Sequence, residues 1–270
     1  MNRLQSEWRR LYAPAGAGRP DGLDAVLQAD PLDASALVDG QGRVRALVLQ
    51  LARPADWSAL SRVWQGVQLD LGWPAPAIAV SGSDGHQLWF SLQQGVSAAQ
   101  GHAVLRGLQA RYLGDIASAR VDLWPVHEAT APHGVRHARP IPAEPERPEQ
   151  WSAFVAPDLA PVFNDTPWLD LPPNLEGQAD LLARLLSISP AEWAAAQAPL
   201  GVTTAALQTT PTAAPPANGA PATPAATGHS PTGSQTDPHR FLLDVMNNAA
   251  IDMGLRIEAA KALLPYVRPN

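Results

Sequence analysis

The stretch Ser81-Gly82-Ser83-Asp84-Gly85-His86 gathers two hydroxyls, two glycines, a carboxylate and an imidazole within six residues. Gly82 and Gly85 allow backbone angles closed to other residues. A tight turn built on them can aim several N–H groups at one anion. His86 stands where its imidazole could reach the same anion. The candidate phosphate-binding set is therefore Ser81, Gly82, Ser83, Gly85 and His86. An ordinary β-turn with His86 hydrogen-bonded in the core accounts for the same residues, because glycine-rich hairpins are common.

Other clusters carry less. His127, His133 and His137 lie in a proline-rich loop without a fixed scaffold, so a solvated loop is expected there rather than a zinc site. HExxH, P-loop, GxSxG and GxGxxG patterns are absent from the sequence. No catalytic residue, metal ligand or cofactor is assigned from these patterns.

The strands and helices around the hairpin are legible as periodicities. Ala77–Val80 is a short apolar strand. After the turn His86, Leu88, Phe90 and Leu92 fall on one side, with Gln87, Trp89 and Ser91 on the other. Upstream, a strand is predicted at 35–38, a turn at Asp39-Gly40-Gln41-Gly42 and a central strand at 43–51, whose Ala46-Leu47-Val48-Leu49 run is continuously apolar. Pro54 and Asp56 open a helix carrying Trp57, Leu60, Trp64, Val67 and Leu71, which Gly72 stops. Ser97 caps a second helix with Val104, Leu105, Leu108 and Tyr112, and a last strand is predicted at 119–124. The predicted fold class is α+β, a β-β-α-β-β-α-β core of RRM-like or primase-like type with peripheral helices.

That order, together with the Ser-Gly-x-x-Gly-His hairpin, resembles the archaeo-eukaryotic primase, or primase-polymerase, superfamily over residues 35–124. Leu69 to Gly72 also fits the leucine-glycine end of the helix before that hairpin. The resemblance implies that Ser81, Gly82 and Gly85 line a nucleotide's phosphates and that His86 donates to one. The family carries an Asp-x-Asp pair at the end of the strand before the first helix, holding two divalent metals. Here that strand reads Val48-Leu49-Gln50-Leu51-Ala52-Arg53-Pro54, without a carboxylate. A third family acid matches Asp122 in Val121-Asp122-Leu123; as an ordinary strand residue it would face solvent or pair with an arginine. One carboxylate does not neutralise two divalent ions in a dry site. The resemblance therefore implies a degenerate member that keeps a binding groove without catalysis. An active nucleotidyltransferase with displaced acids, drawn from Asp39, Asp70, Asp84 and Asp122, is the competing expectation and would need magnesium or manganese.

Flanking segments complete the organisation. Asn2–Tyr12 is predicted to be a helix with Leu4, Trp8, Leu11 and Tyr12 on one face and Arg3, Arg9 and Arg10 on the remainder, a basic face that could touch a nucleic acid but more often accompanies docking on the domain. Residues 151–155 read as a further short strand. Residues 156–173 form an irregular segment anchored by Phe163, Trp168 and Leu169, and helices follow from 174 or 175 and from Pro190. Residues 201–236 are rich in Ala, Pro and Thr and nearly devoid of large apolar residues, which predicts a disordered linker. Residues 237–270 predict a helical hairpin too small for its own core, hence one that pairs with a protein partner. Phe241-Leu242-Leu243-Asp244-Val245-Met246-Asn247-Asn248 and Leu255–Tyr266 resemble a segment of phage small-terminase-type proteins. That implies a phage or mobile-element setting and leaves open a DNA-packaging adaptor without nucleotide binding. The expected domains are 1–31, 32–200, 201–236 and 237–270.

The net charge of −6 argues against a protein that coats DNA non-specifically, although a local basic patch remains compatible with it. Cysteine is absent, which excludes disulfides and thiolate metal sites. No apolar run approaches the ~20 residues of a membrane span. With no secretory-type apolar stretch in Met1–Tyr12, the expected location is cytoplasmic.

Overall fold

The computed structural model describes residues 3–14, 37–143 and 147–202. The chain divides into units 1–211 and 212–270, and every described residue belongs to the first. Residues 15–31 of the expected first segment, nearly all of the expected linker and the whole expected tail lie outside the described residues.

The architecture is mixed α+β. In chain order the elements are α1 (Arg3–Tyr12), β1 (Arg43–Ala52), α2 (Trp57–Leu69), β2 (Ala77–Val80), β3 (Gly85–Ser97), α3 (Ala98–Tyr112), β4 (Val121–Trp124), β5 (Val126–His127), β6 (Val135–Arg136), β7 (Ala153–Val155), α4 (Leu175–Ala183) and α5 (Pro190–Gln197). Five strands form one antiparallel sheet in the order β4-β1-β3-β2-β7; β5 and β6 form a separate hairpin. Side-chain caps open four of the helices. Asp56 accepts the Ala59 amide, Asn174 accepts that of Gly177, and Ser97 and Ser189 each close a reciprocal box with the Gln or Glu three residues on.

Two expectations change. The strand at 35–38 reduces, among the described residues, to a single bridge between Val38 and Val44. The intervening turn is tightened by the Asp39 carboxylate, which accepts the amides of Gln41 and Arg43 and leaves no length for a ladder. Conversely β7 joins the main sheet as its fifth strand, beside β2.

Side chains alternate across the sheet, so each strand feeds two cores. Leu47, Leu49, Leu51, Leu88 and Phe90 face α2 and α3, where Trp73 stacks on Trp193 of α5 at 6.0 Å. Val48, Trp89 and Phe154 face the opposite layer, closed by α1 and α4. There the Trp89 and Tyr12 rings meet edge-on at 5.3 Å, both fully buried. The arginines of α1 serve this docking. Arg3 pairs with Asp180, and Arg10 donates to the Leu182 and Leu185 carbonyls at the end of α4. Arg45 in turn donates to the Arg10 and Ala13 carbonyls. No helix among the described residues is long and apolar enough to cross a membrane.

The outer edge of β7 is closed by one side chain. Gln178 donates to the Phe154 carbonyl at 2.9 Å and accepts the Phe154 amide at 2.7 Å, all of it buried. Gln178→Ala should therefore cost about 2 kcal/mol, since two buried backbone groups lose their partner. Chemical denaturation checks this, and a loss below about 0.5 kcal/mol would show that water replaces the amide.

Candidate binding site

The β2–β3 turn is built on the Ser81 hydroxyl. Its Oγ accepts the amides of Ser83, Asp84 and Gly85 at 3.2, 3.2 and 3.0 Å. The N–H groups that could cradle an anion are thus already directed at a side chain of the turn itself. The Gly82 amide donates to the Pro167 carbonyl at 3.0 Å. Gly82 has φ +79°, and a Cβ there would stand 2.8 Å from the Ser152 nitrogen. Gly85 lies opposite Ala52 in the β1–β3 register, and a Cβ there would stand 2.8 Å from the Ala52 Cβ. Both glycines are required by close backbone approach.

His86 turns to the helix-covered face with Leu88 and Phe90 and is fully buried. Its Nε2 donates to the Ala160 carbonyl at 3.1 Å, and its ring lies 5.9 Å from that of Trp57. Nδ1 has no hydrogen-bond partner among the described residues. Burial pushes its pKa below the usual histidine value. The expectation that His86 reaches the same anion as the serines is not met. Strand alternation sends Gln87, rather than His86, to the face on which the turn opens.

On that face lies a cleft of about 190 Å³, lined by Gln50, Ser81, Ser83, Gln87, Trp124 and Arg139 among others, with Gly82 at its edge. Gln50 and Gln87 in its lining belong to a row of polar side chains running across three strands. The Trp89 indole N–H donates to Gln87 Oε1 at 2.8 Å. Gln87 Nε2 donates to Gln50 Oε1 at 2.7 Å, and Gln50 Nε2 donates to Asp122 Oδ2 at 3.0 Å. An indole nitrogen can only donate, so it fixes the orientation of both amides and directs the row toward the carboxylate.

Gln50 and Asp122 are register partners. Asp122 also binds Arg53, whose guanidinium lies 3.0 Å from Oδ2 and 3.6 Å from the Asp84 carboxylate. Arg53 holds φ +56°, a conformation that costs a non-glycine residue roughly 1–3 kcal/mol. It carries the positive charge that the two carboxylates face. The remaining candidate acids lie elsewhere. Asp39 belongs to its turn, and Asp70 is held below the usual carboxylate range by Arg111 and by the Tyr112 hydroxyl.

Of the three histidines, His127 and His133 sit on the β5–β6 hairpin, whereas His137 is buried against β1. Among the described residues no three His, Asp or Glu side chains converge to hold a metal ion. Arg53, Gln87, Trp124 and Arg139 enter the site without having been marked in the sequence. Strand parity alone ties Gln50, Gln87 and Asp122 to one face. Scanned against protein-family models the chain matches none, and a search of curated proteins finds no similar sequence.

Proposed function

We propose that residues 32–200 form a non-catalytic nucleotide- or nucleic-acid-binding module of a phage or mobile-element protein, with residues 237–270 recruiting a protein partner. The strand order β4-β1-β3-β2, with α2 and α3 on one face, supports the RRM-like or primase-like reading of these residues. The observation that carries the loss of catalysis is the row ending at Asp122. Gln50 stands where a second carboxylate would be needed, and Arg53 neutralises the acids that remain nearby. The cleft above the row offers amide donors and acceptors, hydroxyls, the Trp124 ring and the Arg139 charge, a set suited to a base and a phosphate.

The test uses the full chain with a labelled single-stranded oligonucleotide and with nucleoside triphosphates. Binding is expected without divalent metal, weakening as salt rises, and reduced about tenfold by Arg139→Ala. Incorporation of labelled nucleotide with magnesium or manganese would restore the active nucleotidyltransferase. Failure of both ligands to bind would favour the adaptor reading, which one observation supports: Ser81 Oγ already occupies the turn amides.

A further inference from the structure

A second cavity, of about 350 Å³, follows β4, the edge strand that among the described residues pairs with β1 alone. One wall comes from α3, where His102, Arg106 and Gln109 recur at intervals of four and three and so share a stripe. Arg136 of β6 lines it too, and Trp124 lines both this cavity and the hairpin cleft.

The charge in the cavity is positive although the chain is acidic. Arg106 is exposed, with no hydrogen-bond, ion-pair or ring partner among the described residues. Arg136 binds Glu128 through Nε at 2.5 Å, which leaves its terminal nitrogens as further donors. His102 Nδ1 donates to the Pro125 carbonyl at 3.0 Å, fixing the ring. The carboxylate in the lining, Asp122, is held by Arg53 and Gln50. One guanidinium without a counter-charge, a second beside it, and an amide and a hydroxyl from Gln109 and Ser118 make a set that takes a phosphate.

We infer that this cavity is a phosphate site and that Trp124 joins it to the hairpin cleft as consecutive subsites for a single polynucleotide strand. The inference rests on the nucleic-acid reading above and extends it. A strand places a base against the shared indole and the adjoining phosphodiester at Arg106 and Arg136. A mononucleotide fills the hairpin cleft alone.

Anisotropy of the full chain with a fluorescein-labelled dT12 strand tests this, with dTMP binding measured in parallel by calorimetry. Arg106→Ala should weaken dT12 about tenfold, reduce the slope of log affinity against log salt by about 0.7, and leave dTMP affinity unchanged. Arg106→Glu should weaken dT12 further. Arg106 is exposed and has no hydrogen-bond, ion-pair or ring partner among the described residues, so both variants should keep the parent's circular dichroism and denaturation midpoint. Unchanged dT12 affinity and slope in both variants, with Arg139→Ala still weakening it, would overturn the second subsite and leave the binding module standing. An equal loss for dTMP would assign the phosphate to a free nucleotide and overturn the strand. Wild-type protein that binds neither probe would remove the inference together with the function it rests on.

Discussion

Gly82→Ala should destabilise the ligand-free protein by roughly 3 kcal/mol, combining left-handed backbone strain with overpacking. The backbone at Gly82 has φ +79°, and an added Cβ would meet the Ser152 nitrogen at 2.8 Å and the Gln150 carbonyl oxygen at 3.0 Å. Those are main-chain atoms of the segment that leads into β7, so relief would require moving a strand. Gly72 supplies the control. It too has a left-handed φ, +66°, but a Cβ there meets nothing within 4 Å. Gly72→Ala should therefore cost about 1 kcal/mol, from backbone strain alone. Urea midpoints for the two variants separate the contributions. Equal losses would show that the 150–152 segment yields freely and that the glycine is not needed for packing. A domain stable by only about 5–15 kcal/mol would feel the larger loss as a large fraction of its total. The outcome bears on how the glycine–serine motif is understood: its first glycine is required for close chain approach before any ligand is considered.

Much of the framework could be read from local pattern because local chemistry determines it. The helix starts at Asp56, Ser97, Asn174 and Ser189 are side-chain caps that need no tertiary partner. The β3 alternation was visible because the period of two survives any packing. The pattern does not say which alternate set shares a face with the cleft beside the turn. That depends on where α2 and α3 pack and where segment 138–143 returns, contacts made across long stretches of chain. His86 shows this: the sequence allows either an anion contact or a hydrogen bond in the core, and the structure has the second. Arg53 shows a second limit. Its importance comes from Asp84 and Asp122, 31 and 69 residues later in sequence, meeting at one guanidinium. Ser81 shows a third: a serine at the start of a glycine turn can coordinate a phosphate or replace it. Only the direction of the turn amides distinguishes the two roles.

Acidification from pH 8 to pH 4 should remove about 3 kcal/mol of stability through His137. The imidazole is buried between backbone groups. Nε2–H donates to the Ala46 carbonyl at 3.0 Å, and Nδ1 accepts the Ala138 amide at 2.8 Å. Both nitrogens are satisfied only in the neutral ring, because a proton on Nδ1 would face the Ala138 N–H. Burial pushes the pKa down to about 4, with the Ala46 carbonyl pulling the other way. In the unfolded chain the ring titrates near 6.5. Between those values the unfolded state binds a proton that the native state refuses. Stability is thus full above pH 6.5, falls as pH drops toward 4, and loses nothing more from this group below it. His86, lowered chiefly by burial, acts in the same direction. The paired carboxylates Asp70 and Asp115 have pKa values below the usual range and lose their contribution only in more acidic solution. They therefore leave the window between 6.5 and 4 to the histidines. Urea midpoints at each pH unit give the curve, and His137→Gln tests its origin, because a glutamine amide can donate to Ala46 without titrating. The variant should lose most of the slope between pH 6.5 and 4 even if its stability at pH 8 is lower. A slope that persists in His137→Gln and in the double variant with His86→Asn would place the acid sensitivity outside both rings.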